Sequence, residues 1–288
     1  MKLPLILAIV LSLAPAQDKT YDLKLDWKPV AGHKTELAET SNMKMVMKIT
    51  GQPEPMNMAE DTSLAATEEV VSADAQGGSE RTWKFSKAMQ SKEGPLAPLS
   101  FQGKTVVLKH AKGKGREFSI DKAEPSAEDL ATLRKAFMAG DEKPGEATGA
   151  EIFAPKKPVK VGESWSPDLK SIVKSMFDAE MAEAIDPAKS KAMFTLKSVE
   201  SRGGVEFGKI EGVLELALGM MGPMKLETPL MLKMTMDADH CIDGKLPDGA
   251  MTLKAELKGK SSAAGPAGKI DIDLDMTMKG QTSTKTVK

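Results

Sequence analysis

The chain is patterned on a period of two. Ile270, Ile272, Leu274, Met276 and Met278 alternate with Lys269, Asp271, Asp273, Asp275 and Thr277, as in a strand with one buried and one wet face. Leu226, Thr228, Leu230, Leu232, Met234 and Met236 repeat the pattern, and so do Met251, Leu253, Ala255 and Leu257. Nearer the N-terminus, residues 21–27 and 43–49 read the same way. Clean alternation predicts antiparallel sheet with one solvated face. Gly203-Gly204 and Asp243-Gly244 supply hairpin turn chemistry between such runs.

The middle of the chain changes period. Ser126-Ala-Glu-Asp129 is an approximate capping box, followed by Leu130, Leu133, Ala136 and Phe137 at helical spacing and by Gly140, which predicts a helix over 126–139. Residues 140–150 are a polar connector. Ser166-Pro167 then reads as an N-cap with proline at the first helical position. The stripe Leu169, Ile172, Val173, Met176, Phe177 and Met181 carries that second helix to 184. The expectation is an α+β fold, predominantly antiparallel sheet in two meanders. Its parts are an N-terminal meander (17–122), a helical connector (123–190, with a linker at 140–165) and a C-terminal meander (191–288).

The first residues carry an address. Lys2 precedes an almost wholly apolar run, Leu3 to Leu13, and Ala14-Pro15-Ala16 has the form of a small-residue cleavage site. This predicts a secretory signal peptide cleaved after Ala16 and a periplasmic or extracellular protein. Beyond Leu13 no apolar run approaches the ~20 residues of a membrane helix, so no membrane span is expected. A composition of 41% hydrophobic and 28% charged residues is globular, and a net charge of −1 favours no polyanion; nucleic acid is not an expected partner. Cys241 is the sole cysteine, so stability rests on packing rather than an internal disulfide.

Candidate chemistry is sparse. Asp237 to Gly244 gathers Asp239, His240, Cys241 and Asp243, but as a calcium loop it has Cys241 at the third position and Ala250 at the twelfth. His240 and Cys241, adjacent on a strand, point to opposite faces and cannot share a zinc ion or act as base and nucleophile. The spacing Ser-x-x-Lys recurs without any accompanying catalytic motif, and Gly103-Lys104-Thr105 lacks the first glycine of a phosphate loop. The basic run Gly103 to Arg116 reads as a solvated hairpin turning at residues 112–115. Asp271, Asp273 and Asp275 read as a guard against edge pairing. No enzyme, cofactor or metal is expected.

Methionine is the compositional anomaly: 20 residues, against 4% aromatics. Met43, Met45 and Met47 place three thioethers on one strand face, echoed by Met56 and Met58, Met234 and Met236, and Met276 and Met278. Thioethers select Cu(I); they also fill irregular apolar gaps.

Residues 152–165, IFAPKKPVKVGESW, resemble the phrase P-x-K-P-V-x-V-G-[DE]-S-W of uncharacterised exported β-rich proteins of planctomycete-like bacteria. The resemblance implies the order signal, meander, helices, meander, and it supplies no catalytic residue. The expected architecture is also similar to lipoprotein carriers of the LolA type, whose curved sheet faces helices. That likeness implies a carrier of an apolar ligand.

Two main readings follow. In the first, the apolar strand faces are a closed core, and the protein is a non-catalytic structural or interaction component of the cell envelope, with an envelope protein as partner. In the second it binds or carries an apolar, lipid-like ligand. The ligand would sit on Met43, Met45, Met47, Leu232, Met234 and Met276, beneath Ile172, Met176 and Phe177 of the second helix. Cu(I) binding by the methionines is a third reading.

Overall fold

Strands of 16 to 19 residues, such as Lys34–Ile49 and Gly268–Thr286, dominate the molecule; the longest reaches roughly 60 Å at the usual rise per residue. The computed structural model describes residues 19–287 except 75–77, 93, 111–115, 137–148, 178, 223 and 266–267. In chain order the elements begin with β1 (Thr20–Tyr21), β2 (Lys34–Ile49), β3 (Met56–Ala73), β4 (Ser79–Lys92), β5 (Ala97–Pro98), β6 (Thr105–His110) and β7 (Arg116–Ile120). The middle holds α1 (Ala127–Ala136), a 3-10 turn (Gly149–Phe153), β8 (Val159–Lys160), β9 (Ser164–Trp165), α2 (Leu169–Met176) and α3 (Ala179–Ala184). The last stretch is β10 (Ile185–Arg202), β11 (Val205–Met221), β12 (Met224–Cys241), β13 (Gly249–Gly265) and β14 (Gly268–Thr286). Antiparallel sheet dominates and the helices are minor.

Both meanders belong to one 12-stranded sheet of order β7-β6-β4-β3-β2-β14-β13-β12-β11-β10-β9, with β5 alongside β4. The seam is β14 against β2, antiparallel without a register shift from Ile272↔Ile49 to Thr286↔Thr35. β1 and β8 form a separate two-stranded ribbon. Gly203 and Gly204, at φ 62° and 82°, make the tight turn from β10 to β11, the left-handed pair that a twisted hairpin requires.

Alternation sorts the side chains as expected. The outer face carries cross-strand ion pairs such as Lys260–Asp273 at 3.3 Å and Lys258–Asp275 at 3.8 Å. These aspartates do not guard an edge, because β14 lies in the middle of the sheet. The inner face carries two buried clusters. One centres on Phe194, Leu196, Leu214, Leu216 and Met234, with α2 contributing Ile172 and Val173. The other joins Phe85, Trp83, Val106 and Phe118 to Leu133 of α1.

Other expectations change. The helix beginning at Ser126 is present as α1, while its tail and the connector 140–148 lie outside the described residues, as do the signal segment 1–16 and the turn at 112–115. The single helix over 166–184 is two. Its N-cap is Asp168, whose carboxylate accepts the Ser171 N–H at 3.0 Å and the Ser171 hydroxyl at 2.6 Å. Phe177 leaves helical geometry at φ −127°, which ends α2, and Met181 on α3 is 38% exposed. Residues 21–27 keep the alternation, with Leu23 and Leu25 buried. They make no long ladder, however, pairing only at Tyr21↔Val159 and Lys24↔Asp243. Asp243-Gly244 is not a two-residue hairpin turn. It sits in a longer β12–β13 connection, where Gly244 packs against Lys24 and Asp26.

Candidate functional site

Register across the sheet turns the strand pattern into rows. On the inner face one row runs Met58, Met45, Met276, Leu257, Leu232, Leu216. The next runs Glu60, Met43, Met278, Ala255, Met234, Leu214, Ala192. Each row is apolar almost end to end, but its cover changes. Met234 is 2% exposed, Met278 and Met43 are half-buried, and Met56 and Met58 at the far end are each 42% exposed.

The helices explain the gradient. α2 packs on β10, on the 3-10 turn and on α3. β10 lies five strand steps from β2, about 24 Å along the sheet. At the covered end Phe194 is fully buried; its ring stands 5.6 Å from Phe153 and 6.1 Å from Trp165, whose indole N–H donates to the Phe153 carbonyl at 2.8 Å. The segment resembling the exported-protein phrase therefore anchors this end. Gly162, at φ 86°, lets its N–H reach the Leu196 carbonyl at 2.7 Å.

The nine residues expected to line a ligand site are divided by this gradient. Ile172, Leu232 and Met234 are buried in the first cluster; Met45, Met47, Met176, Phe177 and Met276 pack against it partly exposed; Met43 is half-buried on the same face. Ile172, Met176 and Phe177 sit with α2 at the covered end, and the methionines of β2 and β14 lie at the uncovered one. Sequence reasoning did not include Met56, Met58 and Met278 in the site. Their alternation was visible, but their place beside Met43 and Met45 depends on the β14–β2 and β2–β3 registers. Two shallow depressions of about 330 and 320 Å³ lie elsewhere, one at Lys209, Asp239 and Thr252, the other at Pro155, Trp165 and Pro167.

Polar groups border the apolar rows. Toward the other end of β2, β3 and β14 the inner face continues with Ser41, Thr62 and Gly280, then Glu39 and Thr282. Glu60 accepts the Gln90 amide at 2.9 Å, and Glu68 pairs with Arg81 at 3.1 Å. Glu39 is partly buried, and burial pushes its carboxyl above the usual range. Burial, then the neighbouring Glu151, does the same for Asp26, which lies before β2 and away from Glu39.

His240 is held by structure. Its Nε2 lies 3.2 Å from the Leu25 carbonyl, and burial lowers its pKa. Four residues along β12 from Met236, roughly 13 Å, it cannot complete a thioether site with Met234 and Met236. Cys241 turns to the opposite side, its thiol 3.2 Å from the Asp243 carboxylate. Among the described residues no three His, Cys, Asp or Glu side chains cluster as metal ligands, and no helix is long and apolar enough to cross a membrane.

No protein-family model matches the chain, and no curated protein does. Among solved structures the chain is similar to DynF of the dynemicin biosynthesis pathway of Micromonospora chersina, at 9% identity over 89% of this chain and 82% of that one, TM-score 0.18. A DUF1329 family protein of Desulfovibrio piger is similar at 8% identity over 84% and 83%, TM-score 0.17. The outer membrane protein OprG of Pseudomonas aeruginosa follows at 8% identity over 90% and 99%, TM-score 0.14. Likenesses this distant carry no functional argument.

Proposed function

We propose that this protein is an exported, non-catalytic binding protein that holds the apolar part of a ligand on the uncovered, methionine-rich end of its sheet. One observation supports the reading above all: the inner apolar rows run from a sealed core at β10 to incompletely covered methionines on β14 and β2 and to the exposed Met56 and Met58 on β3. A contiguous exposed apolar surface is costly for a protein in water and marks a place where something binds. Thioethers suit such a surface because they reshape around varied chains. The covered end, with Leu232 and Met234, is ordinary closed core and serves as the platform.

The test uses the processed protein purified from the envelope and titrated with Nile red, a neutral apolar dye. Saturable fluorescence enhancement is expected. It should fall at least tenfold in affinity in a Met45→Glu, Met278→Glu double variant whose circular dichroism matches the parent. Equal dye binding by parent and variant would overturn the reading, leaving the face a structural surface.

A further inference from the structure

Along β2 the inner face runs Ile49, Met47, Met45, Met43 and then Ser41 and Glu39. Along β14 it runs Leu274, Met276, Met278 and then Gly280 and Thr282; along β3, Met56 and Met58 give way to Glu60 and Thr62. Three adjacent strands thus exchange sulfur for oxygen at nearly the same level. The apolar stretch and its polar end together cover roughly 33 Å from Ile49 to Glu39, a track for one long chain with one polar head.

The strands flanking Glu39 offer it no cation in register. Glu39 has no hydrogen-bond or ion-pair partner among the described residues. Its register neighbours are Leu64 on β3 and Thr282 on β14, and its neighbours along β2 on this face are Leu37 and Ser41. Of the other carboxylates of this face, Glu60 stands opposite Lys92 of β4 and accepts from Gln90, and Glu68 pairs with Arg81. A partly desolvated carboxylate facing only hydroxyls and apolar groups is costly until an opposite charge reaches it. Gly280 adds space where the two halves of the track meet: a Cβ there would meet nothing nearer than 3.9 Å.

We infer that the ligand is a single-chain amphiphile with a cationic, amine-type head, its chain on Met43, Met45, Met276 and Met278 and its head at Glu39 among Ser41, Thr62 and Thr282. This rests on the binding role proposed above and narrows it. An anionic head would meet an uncompensated carboxylate; a neutral head would leave Glu39 unpaired.

Isothermal titration with hexadecylamine, hexadecanol and palmitate, each below its aggregation threshold at pH 7, separates the cases. The parent should bind hexadecylamine at least tenfold more tightly than hexadecanol and palmitate. Glu39→Gln, which keeps the side-chain shape, should bring hexadecylamine down to the hexadecanol level and leave hexadecanol unchanged. Palmitate binding as tightly as the amine, or an unchanged amine affinity in Glu39→Gln, overturns the head-group assignment while leaving the apolar face intact. Failure of all three ligands to bind overturns the binding role itself.

Discussion

Gly212→Ala tests whether the covered end of the sheet is as tightly closed as the geometry requires. Gly212 on β11 lies directly opposite Phe194 on β10, and a Cβ placed there would stand 2.5 Å from Phe194 Cε1 and 2.9 Å from Cδ1. Carbon atoms settle near 3.5–4.0 Å, so the ring would have to retreat by about 1 Å. It has nowhere to go, being fully buried between Phe153 and Trp165. Overpacking of this kind costs about 1–3 kcal/mol, offset by the roughly 0.5–1 kcal/mol gained on removing a glycine from a strand. The net spans about 0–2.5 kcal/mol of destabilisation and centres near 1 kcal/mol, a fall of roughly 2–4 °C in Tm for a chain of this size. Urea unfolding followed by tryptophan fluorescence measures it. Phe194→Leu should cost stability alone but much less in the Gly212→Ala background, a coupling of about 1 kcal/mol in a double-mutant cycle. Absence of that coupling would refute the packing described for Phe194.

Three further outcomes follow from single side chains. Glu39→Gln should raise Tm at pH 7, since the native carboxyl has a raised pKa and its charged form opposes folding; the advantage should vanish as pH falls below the carboxylate range, and a lower Tm at pH 7 would contradict it. Asp243 is held at about 2, because hydrogen bonds from Lys245, the Cys241 thiol and the Glu206 N–H outweigh the upward push of burial. Its contribution is therefore full above pH 4 or so and lost between about pH 4 and pH 2; in acid titrations Asp243→Asn should flatten that part of the stability curve. The Cys241 thiol, pushed up by burial, should react with a disulfide reagent at pH 8 far more slowly than free cysteine until urea unfolds the chain; rapid stoichiometric labelling would show the β12–β13 connection to be open.

Much of this fold is legible in the sequence, because burial on one face of a strand writes itself as a period of two. Residues 226–236, 251–257 and 270–278 point where their alternation says. Alternation reports a buried side, however, and not a pairing partner. Residues 21–27 alternate and bury Leu23 and Leu25, yet form almost no ladder. Asp271, Asp273 and Asp275 resemble an edge and lie at the centre, since nothing near them in sequence names β2 as the neighbour. The helix expected over 166–184 differs at its start and in its middle: Asp168 outcompetes Ser166 as cap by reaching Ser171, and extended geometry at Phe177 interrupts an apolar stripe that continues in composition to the end of α3 at Ala184. The candidate site was visible as methionines but not as a surface. Its membership depends on which strands adjoin, and its openness on where short helices happen to lie.

The β14–β2 seam also bears on time. Thr35 pairs with Thr286, so β2 waits for a strand made after all the other described strands. Until β14 arrives, the first meander ends in an unsatisfied edge along β2, with its methionines exposed. Pairing at such separation is slow, and a chain unable to close early stays threadable for longer. For the export proposed above that delay is an advantage: the strand that completes the sheet is also the one that ends the period in which the chain can still be moved unfolded.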